Sequence, residues 1–198
     1  MIEKVLHPKN LDKAYRQVVS NKGAAGIDDM QVNELKSFID DNRIPVITSI
    51  LNRQYVPQPI RGVEIPKSNG KARLLGVPTV VDRWLQQAVS QQLATKFEHE
   101  FEEESYGFRP GKNLHGAVKQ ALKNINDGYL DIVDIDLKGF FDEVQHYKLL
   151  QLIYNKVKCP TTLWLIRKWL RAPVRINGRL HQRRKGMPQG SPFTPRTE

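Results

Sequence analysis

Cysteine is all but missing from this chain: Cys159 stands alone. That excludes a disulfide within the chain and a cysteine-based zinc cluster. Long apolar runs are missing too. No stretch approaches the roughly 20 residues of a membrane-spanning helix, and the N-terminus lacks the apolar core of a secretory leader. The expectation is a soluble, cytoplasmic protein with no membrane partner. Aromatics are sparse at 8%, but apolar residues together reach 39% of 198. That is enough to build one large domain or two small lobes, and too much for a disordered chain. One absence is local. Residues 144 to 197 contain no Asp or Glu but twelve Lys or Arg, while the rest of the chain, with nineteen basic and twenty-one acidic residues, sums to −2. A solubilising surface intersperses both signs. An unbroken basic stretch points instead to a polyanion, and nucleic acid is the expected partner.

The pattern of residues predicts an α+β fold. Asn10 is placed to cap a helix over 11–22, ended by Gly23. Gly23 to Asp28 reads as a loop, followed by an amphipathic helix over 32–41 and a third helix from Pro45 to about residue 54. Residues 61–67 and 72–78 alternate as strands around Asn69-Gly70, a strong hairpin signal. Val81, Trp84, Leu85, Ala88, Val89, Leu93, Phe97 and Phe101 mark one face of a long helix over 80–104. Further helices are expected over 115–126, 146–156 and 161–171, and a second hairpin turns on Asn177-Gly178.

The segment from Asp131 to Asp142 carries the most chemistry. Leu130, Ile132, Val133 and Ile135 predict a short, mostly buried strand, on which Asp134 and Asp136 share one face. A buried strand tolerates carboxylates that are paired or hold a cation. Gly139, Phe140 and Phe141 follow at once, so the pattern suits a Mg²⁺ site beside a packed nucleotide sugar. The plainer alternative is a strand end with solvated acids.

Five motifs fall in an order that resembles the group II intron-encoded reverse transcriptase/maturases of bacteria. They are Gly23-Ala-Ala-Gly-Ile-Asp28, Ile65-Pro-Lys through Val77-Pro78 with Asp82-Arg83, Ser105-Tyr-Gly-Phe-Arg-Pro-Gly-Lys112, Asp134 to Asp142, and Gly186-Met-Pro-Gln-Gly-Ser-Pro192. The resemblance implies a polymerase right hand, represented by its fingers and part of its palm, with two β-hairpins and several helices. It implies fingers with an N-terminal extension over 1–83, the first part of the palm over 84–143, and a second fingers segment over 144–198. The family continues into an apolar helix and a Tyr-x-Asp-Asp hairpin, and no Tyr-x-Asp-Asp occurs here. The chain is therefore expected to be a piece of a longer protein, inactive alone as a polymerase but able to bind RNA.

By the same resemblance, Asp136 is the catalytic metal ligand, five residues before Phe141, with the Leu137 carbonyl as a further oxygen. Asp134 is the alternative. Two Mg²⁺ ions are implied, one activating the primer 3′-oxygen and one holding the triphosphate. Lys67 and Arg73 would fold over the triphosphate, Gln189 would contact the nucleotide near its sugar, and Phe141 would block a ribose 2′-hydroxyl. Arg109 either orders the junction of fingers and palm or approaches template phosphate. Arg175, Arg179, Arg183 and Arg184 are the expected RNA contacts. His99, His115, His146 and His181 lack metal-like spacing and read as ordinary polar residues. The implied partners are intron RNA or another structured RNA template, a DNA primer and dNTPs. A non-catalytic RNA-binding or maturase module, and retron-type or phage-defence reverse transcriptases, are the alternatives.

Overall fold

The computed structural model describes residues 1–66, 72–188, 190 and 192. It forms two compact units, one of Met1–Leu93 with Gly139–Glu198 and one of Ala94–Lys138.

The larger unit opens with α1 (Ile2–Val5) and α2 (Pro8–Ser20). The cap of α2 is His7 rather than Asn10: its ring nitrogen accepts from the Lys9 amide, and Pro8 takes the first helical position, where its missing N–H costs nothing. Asn10 is a buried crosslink instead. Its amide donates to the carbonyls of Val5 (2.8 Å) and Ala88 (3.0 Å), and its oxygen accepts from Gln91 (3.0 Å) and Gln92 (2.7 Å). All four polar sites of the side chain are used.

A 3₁₀ turn over Val32–Glu34 enters α3 (Leu35–Leu51), with Glu34 reaching back to the Gln31 amide at 2.6 Å. The two helices expected here are one, and Pro45 lies inside it. Both Pro45 and Asp41, whose carbonyl the proline leaves without a donor, are exposed, so water can satisfy that carbonyl.

β1 (Ile60–Pro66) and β2 (Ala72–Val77) pair antiparallel, with Ile65 opposite Arg73. α4 (Val80–Phe97) follows, then a 3₁₀ turn at Glu98–Glu100 and α5 (Leu114–Asn126). After α6 (Phe140–Glu143), α7 (His146–Val157) and α8 (Pro160–Leu170) comes the hairpin β3 (Val174–Ile176) and β4 (Arg179–His181). The two hairpins make a single sheet in the order β2-β1-β3-β4, joined by parallel pairing of Ile60 with Val174 and Arg61 with Arg175.

The core forms around the first half of α4. Val80, Trp84, Leu85, Ala88 and Val89 pack with Leu11, Ala14 and Val18 of α2, Leu35 and Ile50 of α3, and Leu165, Ile166 and Trp169 of α8. Asp82, Arg83 and Gln86 are buried as well, so this stretch is enclosed on more than the one face its periodicity marks.

In the smaller unit, Arg109 gathers the loop ahead of α5. Its guanidinium pairs with Glu98 (2.9 and 3.0 Å), donates to the carbonyls of Ser105 (3.0 Å) and Glu102, and lies over the Phe101 ring. Asn113 caps α5 by accepting from the Gly116 amide at 2.9 Å. The expected buried strand from Leu130 does not form. Residues 129–138 adopt no regular structure, and Ile132, Val133 and Ile135 are more than four-fifths exposed. A strand needs a neighbour for its backbone N–H and C=O groups, and no strand of the described residues pairs with this one.

Candidate active site

The site is built outward from one carboxylate. Asp82, in the first turn of α4, is fully enclosed and accepts four hydrogen bonds. One oxygen takes the Tyr55 hydroxyl and the Trp169 indole, each at 2.8 Å; the other takes the Thr79 hydroxyl (2.9 Å) and the Gln58 amide (3.1 Å). Burial pushes its carboxyl above the usual range, against the pull of those four donors. Burial, with the charge of Asp82 beside it, raises the Tyr55 hydroxyl well above its ordinary value.

The Gln58 bond lies two residues before β1, so Asp82 fixes the root of the first hairpin. Next to it, Arg83 donates to the Ala24 carbonyl at 2.6 Å, which ties the Gly23–Asp28 loop to the same place. Two motifs distant in sequence thereby meet at the start of α4. This signal was readable only as Asp82-Arg83 adjacency; nothing in the sequence marks Tyr55 or Trp169 as partners.

Three motifs, the first hairpin among them, border an open cleft of about 320 Å³ in the same unit, lined in part by Leu74, Gly76, Asp142, Arg183, Met187 and Pro188. The backbone of residues 186–187 is stitched to the α6 segment: the Gly186 amide donates to Val144 O at 2.8 Å, and the Met187 amide to Phe141 O at 2.7 Å. Gly186 is required there. Its φ is +77°, and a Cβ would fall 2.7 Å from Asp142 O. On the other side, Pro188 presses on β2 so closely that a Cβ at Gly76 would lie 2.8 Å from the proline ring. Phe141 is half-buried and stands edge-on to Phe140, with ring centroids 5.4 Å apart. Burial lowers the Arg183 guanidinium from its ordinary value, and the charge of Asp142 opposes that shift.

The other expected residues divide as follows. Arg73 lies on β2, half-buried. Lys67 and Gln189 lie outside the described residues. Asp134, Asp136 and Leu137 are exposed in the smaller unit, and among the described residues no three His, Cys, Asp or Glu side chains gather to hold a metal ion. Asp136 and the Leu137 carbonyl fit a Mg²⁺ ion in donor chemistry, but they are an incomplete set of oxygens. Arg175, Arg179 and Arg184 are exposed, and Lys185 pairs with Glu143 at 2.7 Å. Arg109 has its donors engaged within its own loop, on Glu98 and the Ser105 carbonyl. No helix of the described residues is long and apolar enough to cross a membrane.

Comparison with known proteins adds three findings. The family described as reverse transcriptase (RNA-dependent DNA polymerase) matches residues 65–197. Group II intron-encoded protein LtrA of Lactococcus lactis subsp. cremoris is 37% identical over 194 residues, covering 96% of this chain and 32% of LtrA. Protein YkfC of Escherichia coli K12 is 30% identical over 201 residues, covering 98% of this chain and 53% of YkfC. The chain thus spans about a third to a half of these relatives. In fold it is similar to a chain of a Cas6-RT-Cas1–Cas2 complex, with a TM-score of 0.62 at 23% identity over 97% of this chain and 20% of that one.

Proposed function

The chain belongs to the reverse transcriptase (RNA-dependent DNA polymerase) family, and we propose that it forms the fingers and first palm segment of a group II intron-type polymerase. Residues 1–83 would be fingers with their N-terminal extension, 84–143 the first part of the palm and 144–198 a second fingers segment. The single observation that carries this reading is the convergence of β2, the Phe141 segment and Gly186–Pro188 on one cleft. One ligand seated there would touch three stretches that lie far apart in sequence.

The ligand is the incoming dNTP. Arg73, with Lys67, would hold the triphosphate through fixed cationic donors. Phe141 would pack beneath the sugar and turn away a 2′-hydroxyl, and Gln189 would contact the nucleotide near its sugar. Asp136 and the Leu137 carbonyl would hold Mg²⁺, which supplies charge stabilisation for phosphoryl transfer when bound. The carboxylates that complete that set are absent from this sequence, which contains no Tyr-x-Asp-Asp. RNA-templated DNA synthesis with a DNA primer, in support of intron mobility and splicing, is the activity of the whole protein on this reading.

Alone, the chain would act as a grip on structured RNA, because Arg175, Arg179 and Arg184 stand exposed in a stretch without acids. The test is incorporation of dNTPs on an RNA template. The 198-residue chain should give no product with Mg²⁺, and the same sequence continued through a carboxylate-bearing palm hairpin should give product. Template-dependent synthesis by the short chain would overturn the division of labour proposed here.

A further inference from the structure

His146 begins α7 and is buried, 6% exposed as a residue. Its spacing had marked it as an ordinary polar residue. Its Nε2 lies 2.8 Å from the Gly186 carbonyl, forty residues further on. The partner is a carbonyl, so Nε2 must carry the hydrogen and donate it. Nδ1 is equally buried and has no partner. A buried nitrogen without a hydrogen bond is unfavourable, and an apolar side chain would fill the same space without that cost. The ring is thus best explained by what its other edge does.

That edge completes a three-point attachment. The amides of Gly186 and Met187 already donate to Val144 and Phe141, at 2.8 and 2.7 Å. His146 adds the Gly186 carbonyl, so both polar groups of that residue's backbone are held by the 141–146 segment. With the Gly186 carbonyl and the Met187 amide both anchored, the peptide plane that joins them has one orientation. Pro188 then follows in a fixed direction, against Gly76 on β2.

We propose that His146 is a positioning residue for the nucleotide cleft. Its Nε2–H locks the Gly186 peptide, which sets Met187 and Pro188 against both the Phe141 segment and the first hairpin. The inference rests on reading the cleft as the nucleotide site, but the lock itself is testable without nucleotide.

The experiment is site-resolved amide hydrogen exchange on the 198-residue chain, comparing wild type with His146→Phe and His146→Gln. Phenylalanine keeps the ring and removes the donor; glutamine keeps a donor of similar reach. With His146→Phe, exchange at Gly186 and Met187 should quicken about fivefold or more, the worth of one hydrogen bond. Amides of α4 should be unchanged, and His146→Gln should restore protection. Equal exchange in wild type and His146→Phe would overturn the proposal. So would a glutamine variant that behaves as the phenylalanine one. Should His146→Phe fail to fold, the long-range ¹⁵N–¹H spectrum of the wild-type imidazoles decides: hydrogen on Nε2 supports the lock, and hydrogen on Nδ1 alone overturns it. Slower exchange at the same amides on adding dATP with Mg²⁺ reports separately on the nucleotide reading.

Discussion

The indole N–H of Trp169 meets the carboxylate of Asp82 at 2.8 Å across eighty-seven residues of sequence. That bond joins α8 to α4 at the point where Tyr55, Gln58 and Thr79 also converge. Removing the carboxylate leaves several buried donors without an acceptor. Asp82→Ala should therefore lower the unfolding free energy by about 3 kcal/mol or more, measured by urea denaturation. A loss within the range of a surface substitution, about 0.5 kcal/mol, would show the cluster to be energetically idle.

Acid should act on Asp82 in an unusual direction. Its carboxyl is raised in the folded chain above the ordinary 3.8, so the folded state holds the proton more tightly than the unfolded state. The contribution is full below 3.8 and is lost as pH rises through the higher folded value. Against Asp82→Asn, which does not titrate, the wild type should gain stability as pH falls through that window. A relative loss in the same window would mean that the four donors outweigh burial.

Phe141→Val and Phe141→Ala, placed in a polymerase-competent chain, should ease incorporation of ribonucleotides relative to dNTPs. The half-buried ring, one residue before the cleft-lining Asp142, would be the barrier to the 2′-hydroxyl. Unchanged sugar discrimination in both variants would make Phe141 an ordinary packing aromatic.

RNA affinity should divide the basic residues by their surroundings. Arg175, Arg179 and Arg184 are exposed, so replacing all three should flatten the salt dependence of structured-RNA binding by about three units, near one per lost phosphate contact. Arg183, half-buried and beside Asp142, should contribute little by itself. Titration of intron RNA at several salt concentrations checks both; equal slopes for wild type and triple variant would reduce this face to solvated charge.

Local chemistry was legible in the sequence, and pairing at a distance was not. The Asn177-Gly178 turn forms as expected, both residues at positive φ. The apolar spacing of α4 correctly marked Trp84, Leu85, Ala88 and Val89 as core. The α5, α7 and α8 helices lie within a residue or two of their predicted bounds. Asn10 misled because a good capping residue is also a good buried crosslink when Gln91, Gln92 and two carbonyls surround it. Pro45 misled because an exposed helix face tolerates the hydrogen bond it removes. The parallel joint of β1 to β3 and the acceptance of Trp169 by Asp82 depend on chain segments that no local pattern connects. Leu130 to Leu137 reads as a strand in isolation, but strand formation needs a partner, and the described residues offer none. In the proposed whole protein, the palm hairpin would be that partner.

Primer extension is the decisive assay for Asp136 as the proposed metal anchor in RNA-templated synthesis. In a polymerase-competent chain containing this sequence, Asp136→Ala should abolish Mg²⁺-dependent DNA synthesis. Affinity for structured RNA should be nearly intact, because phosphate contacts elsewhere dominate it. Full synthesis by Asp136→Ala, with loss in Asp134→Ala instead, would contradict the assignment.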